Sequence, residues 1–80
     1  MLLETNKPVQ ILGRQVSLLK NGPSSVKLNL VLSVDGKTYF SAGDYHLAEL
    51  VTIKTTPGMY LKCLSDTEAF GTKLYMSDIK

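Results

Sequence analysis

The stretch "VKLNLVLSVDGKTYF", residues 26–40, alternates apolar and polar side chains and then breaks at Asp-Gly. Val26, Leu28, Leu30, Leu32 and Val34 recur with period two, which puts them on one side of a strand and would scatter them around a helix. Asp35-Gly36 is a favoured two-residue hairpin turn, because both of its central positions take positive φ. A chain with this segment builds antiparallel sheet. Counting across the turn sets Leu32 opposite Tyr39 on the apolar side and Val31 opposite Phe40 on the other.

A second hairpin is expected around Pro57-Gly58, which fits loops of several lengths, each with its own register. A three-residue loop, Thr56-Pro57-Gly58, with Gly58 left-handed, sorts the side chains cleanly. Val51, Ile53, Met59, Leu61 and Cys63 then lie inside, and Thr52, Lys54, Tyr60 and Lys62 outside, with Lys54 opposite Tyr60. Upstream, "VQILGRQVSLLKNGP" reads as a first strand with Gly13 as a bulge and Asn21-Gly22-Pro23 as the turn out of it. Downstream, "GTKLYMSDIK" reads as a last strand after Gly71. In "DYHLAEL", Asp44 can cap one helical turn through Ala48, Glu49 and Leu50. The expected fold is all-β, a single small five- to six-stranded OB-like barrel over residues 1–80, with room for one short helical turn at 44–50. Closure would remove the exposed edges of so short a sheet.

Eighty residues leave space for one small core. No apolar run is long enough to span a bilayer, and "MLLETNK" lacks the apolar stretch of a secretory signal, so no membrane association and a cytoplasmic location are expected. Nine Lys plus Arg against seven Asp plus Glu leave a net charge of +2, far from the dense positive charge of a duplex-DNA binder. With one cysteine and one histidine the chain offers neither an internal disulfide nor a zinc site, and no metal or cofactor is expected. Asp44, His46 and Cys63 could be imagined as an oriented base and a nucleophile. The plainer assignment makes His46 a surface residue at a turn and Cys63 a small core residue. Gly43, Gly58 and Gly71 stand apart and form no phosphate-binding loop. The chain is not expected to be an enzyme.

Proteins that bind single-stranded nucleic acid interleave aromatic rings for base stacking with Lys or Arg for phosphates. Tyr60 between Lys54 and Lys62 meets that pattern; Phe40 beside Lys37 and Tyr75 beside Lys73 extend it, with Lys27 as a further phosphate contact. Tyr and Lys are also ordinary residues for the wet side of a strand. The segment "SAGDYHLAELVTIKTTPGMYLKCLSD" resembles the C-terminal part of the filamentous-phage gene-five-type single-stranded-DNA-binding proteins, and "KNGPSS" is loosely similar to their basic loop. The match covers about half of the chain. That resemblance implies an OB-like barrel, a symmetric homodimer and cooperative coating of single strands, as in viral DNA replication in a host cytoplasm. The rival expectation is a small protein-binding module or inhibitor of phage accessory type, whose partner is a larger protein held on a sheet face or edge strand. Such a face would be apolar and aromatic, with lysines at its rim.

Overall fold

A computed structural model describes residues 1–22, 27–46, 50–65 and 71–79. Among these residues eight strands follow one another: β1 (Leu2–Leu3), β2 (Val9–Gln10), β3 (Gln15–Asn21), β4 (Lys27–Ser33), β5 (Phe40–His46), β6 (Leu50–Lys54), β7 (Tyr60–Cys63) and β8 (Lys73–Ile79). They form two four-stranded sheets, ordered β1-β8-β3-β6 and β2-β7-β4-β5, here called the first and second sheet. All strand pairs are antiparallel; one isolated parallel bridge joins Thr5 to Cys63. The all-β expectation holds. Among the described residues the two sheets do not close into a barrel, and the strands number eight rather than five or six.

One core lies between the sheets. The first sheet contributes Leu3, Val16, Leu18, Leu74 and Met76, the second Leu28, Leu30, Leu32, Leu61 and Cys63, and Ile11 fills the corner between them. Each buried leucine contributes about 1.5–3 kcal/mol through the apolar surface it removes from water. Leu28, Leu30 and Leu32 are buried as their alternation predicts, while Val34 is 73% exposed and Val26 lies outside the described residues. The last strand follows Gly71 as expected, and Gly58 is left-handed at φ 93°.

The Asp35-Gly36 turn departs from expectation. Leu32 pairs with Phe40, not Tyr39, and Val31 with Ser41, because residues 34–39 form a longer loop. A two-residue turn of that type needs positive φ at both positions, and only Gly36 has it. The Asp35 carboxylate instead accepts the N–H groups of Lys37 and Thr38 and the hydroxyl of Ser33, which holds the loop open. A bulge between Leu30 and Val31 shifts the register again.

The second expected hairpin does not form. β6 pairs with β3 in the first sheet, and β7 pairs with β4 and β2 in the second, so residues 55–59 carry the chain between sheets. The expected first strand is likewise split. β2 belongs to the second sheet and β3 to the first, with the crossing at residues 11–14. These two corners are hydrogen-bonded to each other: Ile11 N–H donates to Met59 O at 2.6 Å, and Gly58 N–H to Ile11 O at 2.7 Å. Gly13 is no bulge. Its N–H donates to Asp78 Oδ1 at 2.7 Å, and a Cβ there would stand 2.6 Å from the carbonyl carbon of Ile79. Only glycine lets the corner lie this close to the end of β8. Asp44 is strand rather than a helix cap. No helix occurs among the described residues; Ala48 and Glu49 of the expected helical turn, and Pro23 of the expected turn after β3, lie outside them.

Candidate functional site

Alternation fixes which side chains leave the core, and the registers then assemble them into two outer faces. On the second sheet, Lys27, Asn29 and Val31 alternate with the buried Leu28, Leu30 and Leu32, and Tyr60 and Lys62 alternate with the buried Leu61 and Cys63. Cross-strand pairing sets Lys62 beside Val31, Tyr60 between Gln10 and Ser33, and Lys27 beside His46. The ammonium of Lys62 stands 4.1 Å from the centre of the Tyr39 ring, a cation–π contact. The Tyr60 ring covers Gly36, where a Cβ would lie 3.2 Å from a ring carbon. Lys27 forms an ion pair with Asp44 at 3.8 Å. The rings and the Lys62 cation of this face therefore brace the 34–39 loop against the sheet.

On the first sheet the outward residues fall into cross-strand rows. Lys54, Gln15 and Ile79 form one, and Thr52, Ser17 and Ser77 the next. Then comes Leu50, Leu19, Tyr75 and Leu2, one residue from each of the four strands, and beyond it Asn21 and Lys73. The four members of the third row are 62%, 47%, 38% and 42% exposed. They form an unbroken apolar band across the whole sheet. With strands about 4.8 Å apart, it spans roughly 14 Å.

The eight residues expected to bind nucleic acid are thus divided. Tyr60, Lys62 and Lys27 share the outer face of the second sheet, and Lys37 is exposed in the loop at its end. Lys54 does not face Tyr60: it pairs with Gln15 on the first sheet, whose outer face also carries Lys73 and Tyr75. Phe40 does not share a side with Val31; it pairs with buried Leu32 and is 49% exposed at the open edge made by β5. The Lys-Tyr-Lys platform is therefore dismantled, because its two strands lie in different sheets. Tyr39 was not among the expected residues, nor were Leu2, Leu19 and Leu50.

No family model, curated protein or solved structure matches this chain.

The imagined Asp44-His46-Cys63 constellation is not assembled. Asp44 and His46 are exposed opposite Asn29 and Lys27, whereas Cys63 lies opposite Leu30 in the core. Burial pushes the Cys63 thiol above its ordinary range, and its Sγ lies 3.5 Å from Ser65 O. A protonated interior thiol is a poor nucleophile. No cluster of three His, Cys, Asp or Glu able to hold a metal ion occurs among the described residues, and no helix there is long and apolar enough to cross a membrane.

Proposed function

We propose that this protein is a non-catalytic association module that engages a polypeptide partner through the outer face of the first sheet. The observation that carries this reading is the contiguous band of Leu50, Leu19, Tyr75 and Leu2. Single exposed apolar residues are common on soluble proteins, whereas an apolar band that crosses every strand of a sheet marks a contact surface. Lysines stand away from its centre, at Lys54 and Lys73, as they do at the rim of a protein interface. A photo-crosslinking residue placed at Ser77, bordering the band, should capture polypeptide in cells expressing the chain, and the same residue at Asn29 on the other sheet should not. Capture from position 77 should vanish when Leu19 is also changed to Ser. Equal capture from both positions, indifferent to Leu19, would sink the reading.

A second reading, single-stranded nucleic-acid binding in viral DNA replication, is favoured by Tyr60, Lys62 and Lys27 sharing the outer face of the second sheet, with Lys37 exposed in the loop at its end. In that reading a strand face takes the ligand, as the OB-like expectation has it, in the cytoplasm of a host cell. Oligonucleotide titration at low and moderate salt tests it. Tyr60→Ala should lose roughly 1–3 kcal/mol of binding, and Lys62→Ala should shrink the salt slope by about 0.7. Absence of binding at low salt removes it.

A further inference from the structure

The charges around the apolar band say what kind of segment it takes. At the paired outward positions of the first sheet stand two lysines, Lys54 and Lys73, and no Asp or Glu. Of the carboxylates next to these positions in sequence, Asp78 sits at an inward position of β8 and accepts the N–H groups of Leu12 and Gly13, Glu4 just after β1 is ion-paired with Lys7, and Glu49, beside Leu50, lies outside the described residues. Lys73 is two residues from Tyr75 on β8, about 7 Å along the strand, and stands beside Asn21. On the other flank the residues are short and hydroxylated: Ser17, Thr52 and Ser77, with Ser17 Oγ and Thr52 Oγ1 3.3 Å apart. The surface is thus an apolar strip with hydrogen-bonding groups along one side and positive charge beyond both sides.

We infer that the occupant is an acidic amphipathic segment of another protein, which lays apolar side chains along Leu50, Leu19, Tyr75 and Leu2 and sets carboxylates against Lys73 and Lys54. This rests on the association reading above and names the partner for the same face. A second copy of this chain fits less well. It would bring two Lys54 and two Lys73 into one contact with no carboxylate at any paired outward position to answer them, between chains of net charge +2 each. Like charges across an interface disfavour it, whereas complementary ones set partner and orientation.

The chain has no tryptophan, so a single Trp in a probe peptide reports binding without interference. The probe is a 14-residue peptide with Leu at helical i, i+3, i+4, i+7 spacing, Glu at most other positions and one Trp; its counterpart carries Lys in place of every Glu. Titrated with the full chain, the acidic peptide should bind at least tenfold tighter than the basic one. Leu19→Ser and Tyr75→Ser, each checked for native circular dichroism, should weaken it at least tenfold. Lys73→Glu should narrow or invert the preference between the two peptides. Equal binding of both peptides that is still lost in Leu19→Ser would overturn the acidic partner and leave the association reading standing. So would a parent chain that light scattering shows to be dimeric and Leu19→Ser makes monomeric, since the occupant would then be a second copy. Peptide binding indifferent to both Leu19→Ser and Tyr75→Ser would overturn the inference and the reading together.

Discussion

The two outer faces are built by the same alternation, yet they leave their large side chains in opposite situations. On the second sheet, Tyr39, Tyr60 and Lys62 are engaged within the molecule, stacking on one another or on Gly36 and pinning the 34–39 loop. On the first, Leu50, Leu19, Tyr75 and Leu2 lie side by side with much of their surface in water. An aromatic residue near a lysine therefore says less about a binding surface than an apolar one with nothing packed above it. The first kind of residue already has a structural use here, and the second has none within the described chain.

The largest expected effect separates the inner and outer sides of a single strand. Leu18 and Leu19 are neighbours on β3, one fully buried and one 47% exposed. Leu18→Ala should destabilise the fold by about 2–5 kcal/mol through lost transfer energy and a residual cavity. Leu19→Ser should change stability by no more than about 1 kcal/mol while removing partner binding. Comparable losses in denaturant melts would mean that the apolar band belongs to the core.

Next comes the corner that sends the chain from one sheet to the other. Gly13→Ala places a methyl group against the backbone of Ile79, which cannot retreat without loosening β8, and should lower stability by roughly 1–3 kcal/mol. Gly58→Ala meets no atom within 4 Å and is opposed only by its positive φ, so it should be the milder of the two. On the second sheet, Lys62→Ala removes the contact with Tyr39 and should lower stability by about 0.5–1 kcal/mol. A neutral result there would free that lysine for the nucleic-acid reading.

The smallest effects are expected from pH. The Asp35 carboxyl is held below its ordinary range by the backbone N–H groups of Thr38 and Lys37 and by the Ser33 hydroxyl. Its contribution is present above the unfolded-state pKa and is lost as pH falls through the depressed folded value; Asp35→Asn should flatten that acid limb of the melting curve. Cys63 has the opposite sign. With its thiol raised by burial, its contribution is complete below the unfolded thiol pKa and lost as pH rises through the folded one. A thiol reagent should label Cys63 slowly at neutral pH until the protein unfolds. Rapid native labelling would contradict its burial.

Period-two patterning located most strands and the inward side of several, including Leu28, Leu30 and Leu32 on β4 and Leu61 and Cys63 on β7. It could not assign those strands to a sheet. A sandwich has two inward faces of the same apolar character, so alternation continues unchanged through a corner where the chain switches layers. Pro57-Gly58 was legible as a turn, but the same turn chemistry serves a hairpin and a change of sheet, and that ambiguity separated Lys54 from Tyr60. The apolar band had a signal of its own in the apolar doublets Leu2-Leu3, Leu18-Leu19, Leu50-Val51 and Leu74-Tyr75. In each, one residue faces the core and its neighbour must face out.

Among the strand pairings of the described residues, only β4 with β5 joins strands consecutive along the chain. Every other pairing must close a longer loop before its hydrogen bonds offset the lost chain entropy, which makes assembly a matter of distant meetings. Refolding is accordingly expected on the millisecond-to-second scale of all-β domains, with the β4–β5 ribbon as the piece able to form earliest. Until β3, β6 and β8 have gathered, the leucines of the outer band are not yet a band. The surface proposed to recognise a partner comes into being only with the most sequence-distant contacts of the fold.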